Sequence, residues 1–313
     1  MKSSMLIHPD ELSKEWIDRL VDAGVEAVGI HPCGGVKAHE SLENLLKQMT
    51  TSEFRDLIDY AKSKGLEAEY ELHAMSYLLP RDLFDTHPEY FRENKDGEKT
   101  VSSNFCVSNP EALQLVAKNA AKLANSLYKS SHDFYFWLDD GYDLKCYCPR
   151  CRELSASDQQ IIVLNSVLRE IKKQIPDARM AYLAYVDSVE PPTRTNVEDG
   201  VFLEYAPYAK YTAKEDEAEL IEKEKEMIIP LMRIFDKQPR KVLEYWYDNS
   251  LFSGYQKPPK KFVLNESAMI SDIAEYKNMG FDSISTFACF LGADYQALHG
   301  DIDITPFSNA VSG

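Results

Sequence analysis

The chain has 313 residues, 44% hydrophobic and 27% charged, a balance that supports a large packed core and excludes general disorder. A formal net charge of −16 argues against a nucleic-acid partner, because a polyanion is repelled and the only lysine run, Lys257 to Lys261 with Pro258 and Pro259 inside it, reads as a solvated loop. No stretch reaches the roughly 18 to 20 apolar residues that span a bilayer. No secretory h-region follows Met1-Lys2-Ser3-Ser4, so a cytoplasmic location without a membrane partner is the expectation.

Short β-rich runs alternate with long amphipathic segments along the chain. Met5–Pro9 reads as a first strand, followed by a helix over Glu11–Ala23 with Trp16, Leu20 and Val21 as its apolar stripe and Gly24 as its stop. Val25–His31 is a second strand, and Leu42–Lys64 a second helical region closed by Gly65. Leu66–Met75 is a third strand, with Leu66, Ala68, Tyr70, Leu72 and Ala74 on one face and Glu69, Glu71 and His73 on the other. An aperiodic stretch, Leu79–Val107, leads to a helix through about Tyr128, with Asn109 as N-cap and Pro110 at its first position.

Further strands are expected over Phe134–Asp139, Arg179–Val186, Val201–Tyr205, Lys241–Tyr247 and Ser283–Phe290. The helices between them are expected over Ser157–Gln174, Lys214–Phe235 and Glu266–Met279. None follows the fifth strand, and the one after the eighth is no longer than Tyr295–His299. Eight βα repeats in this length fit a closed parallel barrel better than an open sheet. The expected fold is therefore α/β: a single (β/α)₈ TIM barrel over residues 1–313, with some helices short or missing.

Barrels of this kind carry their sites at the C-terminal strand ends. Those ends are polar here: His8 and Asp10, His31, Glu71 and His73, Asp139 and Asp140, Tyr185 and Asp187, Glu204 and Tyr205, then Glu244, Tyr245, Trp246, Tyr247 and Asp248. Any one acid serves equally well as a helix cap or ion-pair partner. Several carboxylates in one barrel mouth are costly unless used or paired. The apolar run Phe134–Leu138 stops at Asp139-Asp140. Adjacent side chains point to opposite sides, so one aspartate can face a pocket while the other braces a loop or a histidine; alternatively both cap the following loop. Trp137, Tyr205, Tyr208, Tyr245, Trp246, Tyr247 and Phe287 lie at or near strand ends, either as sugar platforms or as core.

Cys146-Tyr147-Cys148-Pro149-Arg150-Cys151 places three thiols in six residues, and Cys106 is the best available fourth ligand. A closed structural zinc site is the reading that implies a metal; the alternatives are reduced thiols without metal or a Cys146–Cys151 type bridge. No organic cofactor is expected.

Leu138-Asp139-Asp140-Gly141 with the cysteine block, Phe105 to Glu111 upstream, His87-Pro88-Glu89-Tyr90-Phe91, Ala184-Tyr185 and Pro191-Pro192 together resemble a bacterial family of barrels catalogued as a domain of unknown function. That family is similar to the catalytic barrels of α-glucuronidases and β-hexosaminidases. The resemblance spans roughly Leu66 to Phe290. It implies a glycoside-hydrolase-like barrel, with Asp139 or Asp140 at the strand-four acid position. Hexosaminidases have Asp followed by Glu there, one methylene longer than Asp140.

The leading expectation is a glycosidase acting on a small saccharide, since glycoside hydrolysis needs two carboxylates across the sugar. Asp140 is the expected general acid, with Asp139 orienting it or a substrate amide, and Glu244 or Glu204 is the base or nucleophile. His8, His31, Glu71, His73, Trp137, Tyr185, Tyr205, Tyr245, Trp246, Tyr247 and Asp248 are the expected substrate contacts. His8, His31 and His73 would bind hydroxyl or carboxylate groups. Two alternatives stand beside this: a non-catalytic carbohydrate-binding barrel, and a metal-dependent hydrolase using the cysteines or a His8/His31/Asp140 set.

Overall fold

The computed structural model describes residues 1–212 and 218–313. Eight parallel strands close in sequential order into one barrel: β1 (Lys2–Ile7), β2 (Ala27–Ile30), β3 (Glu67–His73), β4 (Asp133–Trp137), β5 (Arg179–Ala184), β6 (Val201–Tyr205), β7 (Lys241–Glu244) and β8 (Ser283–Phe287). β8 returns to β1, with Lys2 opposite Ser283 and Leu6 opposite Phe287. Helices cover the outside, so every strand is buried on both faces, as parallel sheets require. The fold is a (β/α)₈ TIM barrel.

Local chemistry sets the element ends. The Ser13 side chain accepts from Trp16 N at the start of the helix Lys14–Ala23, and Gly24 closes it at φ 78°. Asn109 accepts from Glu111 N and Ala112 N, and with Pro110 it opens the helix Pro110–Ser126. The helix Glu266–Met279 has the predicted bounds, capped by Asn265. The region expected as one helix over Leu42–Lys64 is two, Ala38–Gln48 and Ser52–Ser63, split where Thr51 caps the second. Only a single 3₁₀ turn, Val186–Ser188, stands where a helix after β5 would begin. Of the helix expected over Lys214–Phe235, residues 218–234 are helical and 214–217 lie outside the described residues. A last helix, Thr305–Ser312, lies beyond the sequence expectation; it buries Phe307 beside Trp246.

Two apolar layers result. The larger lies between strands and helices. The smaller lies inside the barrel and includes Leu6, Tyr135, Trp137, Leu183, Phe202, Leu243, Tyr245 and Phe287. Below it the interior is charged. Lys241 Nζ donates to Glu71 Oε1 at 2.5 Å and Glu69 Oε2 at 3.0 Å, lies 3.6 Å from Glu204 Oε1, and sits 4.2 Å from the centre of the Tyr135 ring. Lys2 Nζ reaches the other oxygen of Glu69 at 3.0 Å. Burial by itself favours a neutral amine, but Glu69 and Glu71 hold the Lys241 pKa well above the ordinary lysine value. Burial also opposes ionisation of Glu69, yet Lys241 and Lys2 bring that carboxyl down to about 2.

Removing one partner of a buried ion pair leaves the others uncompensated, typically at about 3–5 kcal/mol. Lys241→Met is therefore expected to lower unfolding free energy by about that amount in urea denaturation. Adding Glu71→Gln should recover part of the loss.

Candidate active site

A cleft of about 250 Å³ opens at the C-terminal end of the strands. Its wall from β1 to β4 is a row of rings. His8, His31, His73 and Trp137 follow one another on consecutive strands, with centroids 6.2 Å apart for His8–His31, 5.9 Å for His31–His73 and 5.2 Å for His73–Trp137. Each histidine anchors Nδ1 on a backbone carbonyl at the end of the next strand: His8 to His31 O at 2.9 Å, His31 to Glu71 O at 2.9 Å, His73 to Leu138 O at 2.7 Å. A carbonyl can only accept, so Nδ1 carries the proton in all three. Burial, and then the neighbouring His73 and His8, push the His31 pKa well below its ordinary value. Gly34 lets the chain pack on the His73 ring, since a Cβ there would lie 2.7 Å from its Cδ2.

Tyrosines from β5 to β7 line much of the opposite wall. Tyr185, Tyr208 and Tyr245 lie in sequence, 5.1 and 5.8 Å apart, and Tyr245 stacks on Phe287 at 5.1 Å. Burial and the nearby Asp140 carboxylate raise the Tyr185 pKa and keep its hydroxyl protonated. Val186, next to Tyr185, is held at φ 51°, a strained conformation for a β-branched residue.

Two carboxylates line this cleft, Asp140 after β4 and Asp248 after β7. Asp140 is exposed. Asp248 is buried and fixed, its Oδ1 accepting from Ser250 N at 3.0 Å, Ser250 Oγ at 2.5 Å and Leu251 N at 3.2 Å. Burial raises its pKa, against the opposing effect of those Ser250 and Leu251 bonds. Asp139 points the other way: Oδ2 accepts from Asn104 N at 2.6 Å and Arg81 Nη2 at 3.2 Å, and Oδ1 from Ser76 N at 3.2 Å. It braces the loop between β3 and β4.

Six further expected residues lie outside the cleft. Inward and outward positions alternate along each strand. On β7, Lys241, Leu243 and Tyr245 take the inward positions, so Glu244 and Trp246 face the helices. Glu244 is fully buried there, bonded to Lys210 Nζ, Tyr211 OH and Tyr276 OH, and Trp246 Nε1 donates to Asp272 at 2.9 Å. Tyr205 faces outward in the same way, donating to Glu224 at 3.1 Å, and Tyr247 stacks on Phe262. Glu71 and Glu204 do point inward, but one layer too deep. Glu71 pairs with Lys241, and Glu204 lies beneath Trp137, accepting its Nε1 at 2.8 Å.

The cleft also contains residues that sequence reasoning did not single out for it: Cys33, Cys289, Ser250 and Tyr255. Cys33 and Tyr255 belong to loops and Ser250 to a one-turn helix, Asn249–Phe252, with no periodicity to place them. Lys241 was equally unmarked, although the inward Glu69 and Glu71 on β3 required a buried cation.

Beside this mouth, Cys106, Cys146, Cys148 and Cys151 are all buried, with their sulfurs within 4.8 Å of one another. Cys106 Sγ is 3.7 Å from Cys148 Sγ and 3.9 Å from Cys151 Sγ. Glu93 N donates to Cys146 Sγ at 3.4 Å, and Ser108 Oγ lies 3.3 Å from Cys106 Sγ. Gln159 holds the knuckle from below, donating to Cys146 O at 2.9 Å and Cys151 O at 3.2 Å. This is a ligand set that can bind a metal ion. Among the described residues, no other three His, Cys, Asp or Glu donor atoms gather within that distance, so the geometry does not favour the His8/His31/Asp140 metal set.

The model of a family described as "Domain of unknown function (DUF4838)" matches residues 40–273. A search of curated proteins finds no match. Among solved structures, the chain is similar to endo-glycoceramidase II from Rhodococcus sp. (TM-score 0.57, 10% identity, 92% of this chain and 73% of that one). It is also similar to PbGH5A, a glycoside hydrolase family 5 enzyme from Prevotella bryantii B14 (0.53, 11%, 96% and 86%). A third is the tandem GH20 catalytic modules of the pneumococcal exo-β-D-N-acetylglucosaminidase StrH (0.52, 12%, 99% and 83%). At such identities the likeness is one of fold.

Burial raises the Glu204 carboxyl from 4.5 to about 7. Between those values the folded chain carries a proton that the unfolded chain has released, so this group's contribution to stability falls as pH rises through the window. Glu204→Gln keeps an acceptor for Trp137 and needs no proton. The variant is expected to gain on the wild type in urea denaturation at pH 8, with the difference gone near pH 4.5.

Proposed function

Because the chain belongs to the DUF4838 family and shares its fold with glycoside hydrolases, we propose that it is a hydrolase of O-glycosyl bonds acting on a small saccharide. The observation that carries this reading is the pair of carboxylates, Asp140 and Asp248, brought into one ring-lined cleft from β4 and β7. Glycoside hydrolysis uses two carboxyl groups across the scissile bond. In this reading Asp140 gives its proton to the leaving oxygen as the C–O bond breaks. Asp248, held by the turn after β7, faces the positive charge that develops at the anomeric carbon; water then bonds to that carbon and its released proton restores Asp140. Tyr185 keeps its proton beside Asp140 and supplies a hydrogen-bond donor to the leaving group. Trp137 and the stacked Tyr245–Phe287 pair offer flat faces to the C–H faces of the ring.

A carbohydrate-binding barrel without turnover is the second reading. It is favoured by the ion-paired and hydrogen-bonded state of Glu71, Glu204 and Glu244, which leaves them no catalytic freedom.

The cysteine cluster fits a structural zinc. A tetrahedron with Zn–S bonds of about 2.3 Å has S···S edges of about 3.8 Å, against the 3.7 and 3.9 Å found. A disulfide needs about 2.05 Å. Four thiolates from Cys106, Cys146, Cys148 and Cys151 would close the ion's coordination, so its contribution is to tie the loops after β3 and β4 together.

Aryl-glycoside turnover is expected to fall about 10²- to 10⁴-fold in Asp140→Asn, with the circular dichroism unchanged because the side chain is exposed. Saturable sugar binding without turnover on a broad panel would favour the second reading. Elemental analysis of purified protein should find about one zinc per chain. Its removal should abolish hydrogen-exchange protection across residues 90–110 and 144–155 while the barrel strands keep theirs. Metal-free protein with full protection in those loops would refute the zinc site.

A further inference from the structure

The rings that form one wall of the cleft also bear on which sugars it admits. His31 holds a proton on Nδ1 through its bond to Glu71 O and burial keeps the ring neutral, so its Nε2 is a bare acceptor; His73 is fixed in the same way on Leu138 O. The third histidine, His8, has its Nε2 4.0 Å from Cys33 Sγ, and hydrogen bonding to His8 lowers the pKa of that thiol. Against the effect of burial, the two thiols beside it, Cys289 and Cys33, raise the His8 pKa, and a proton moved from Cys33 to His8 leaves an imidazolium–thiolate pair with no net charge. Cys289, the other thiol by His8, is pushed up to about 12 by burial and stays protonated. None of the described residues lining the cleft is Lys or Arg. Lys257, beside Phe290, is paired with Asp294 at 2.8 Å.

The lining is therefore rich in acceptors: the His31 lone pair and the carboxyl groups of Asp140 and Asp248. Its donors are neutral hydroxyls, from Tyr185, Tyr208, Tyr245, Tyr255 and Ser250. A sugar hydroxyl suits such a wall, because it donates to a lone pair and accepts from a phenol. A carboxylate has no proton to donate and would sit beside two carboxyl groups with no lysine or arginine in the described lining to pair with it. Nor do the histidine nitrogens converge on one point, since among the described residues no donor set apart from the cysteines gathers within 4.8 Å.

We infer that the cleft selects uncharged sugars, with a ring hydroxyl donating to Nε2 of His31, and excludes uronates and sialates. The inference rests on the glycoside reading above and narrows it: of the two enzyme classes the sequence resembles, it separates this cleft from the one whose substrate carries a carboxylate.

The test uses the unmodified protein and matched sugars that differ only at C6, glucose with glucuronate and galactose with galacturonate, titrated by calorimetry at pH 7. At least one neutral member is expected to saturate, with its uronate partner at least about tenfold weaker, the size of one or two lost hydrogen bonds. A uronate that binds as tightly as its neutral partner, or more tightly, overturns the inference and leaves the carbohydrate reading intact. Binding of neither class, with no turnover on neutral or acidic glycosides, removes both. Nitrogen-15 spectra of histidine-labelled protein give an independent readout. His31 should appear at pH 7 as a neutral ring protonated at Nδ1, and an imidazolium or an Nε2–H ring there counts against the proposal.

Discussion

One ammonium group organises the inside of this barrel. Lys241 stands at the first position of β7 and points inward, where it holds Glu69 and Glu71 and lies close to Glu204. A barrel interior is ordinarily filled by branched apolar side chains; here its lower half is an ion cluster, and the upper half is built on that cluster. Glu204 turns its second oxygen upward to Trp137 Nε1, which fixes the indole as the floor of the cleft. Trp137 in turn lies 5.5 Å from His31 and 5.2 Å from His73. The site is thus oriented from beneath by charge and from the side by main-chain carbonyls.

A second frame holds the rim. The stretch between β3 and β4 has little regular structure, yet it is pinned at several points. Asp139 and Asn104 exchange bonds, backbone N–H to side-chain oxygen in both directions. Asn104 also donates to Leu144 O, Cys106 N to Tyr90 O, and Tyr147 N to Glu93 O. The four cysteines join the same two loops. Asp140 follows directly after Asp139, so the brace on one residue sets where its neighbour's carboxyl group enters the cleft.

Much of this was legible in the sequence, and the reasons differ by element. Asn109-Pro110 and Gly24 announce helix ends because caps depend on a few local atoms. The cysteine spacing announces a knuckle for the same reason. The Asp139-Asp140 pair was readable as one brace and one cleft residue because adjacent side chains on an extended backbone diverge. Glu204, Glu244, Tyr205 and Trp246 were not readable in this way. Both faces of a parallel strand are buried, so hydropathy carries no sign of which parity points to the axis. Depth is a further unknown: Glu71 and His73 share a face of β3, but only His73 reaches the mouth. Lys241 had no local signature, since its reason for being inside lies on β3, some 170 residues earlier.

The row of histidines has a consequence for how such a cleft can change over evolution. Each ring is tethered to the backbone of the neighbouring strand, so the geometry from β1 to β4 is inherited with the barrel itself. The facing wall, from Tyr185 through Tyr208 to Tyr245 and Tyr255, hangs from loops and meets mainly other rings. Mutational drift can reshape that side without disturbing the sheet. One half of the mouth is then set by the sheet, and the other can be reshaped independently of it.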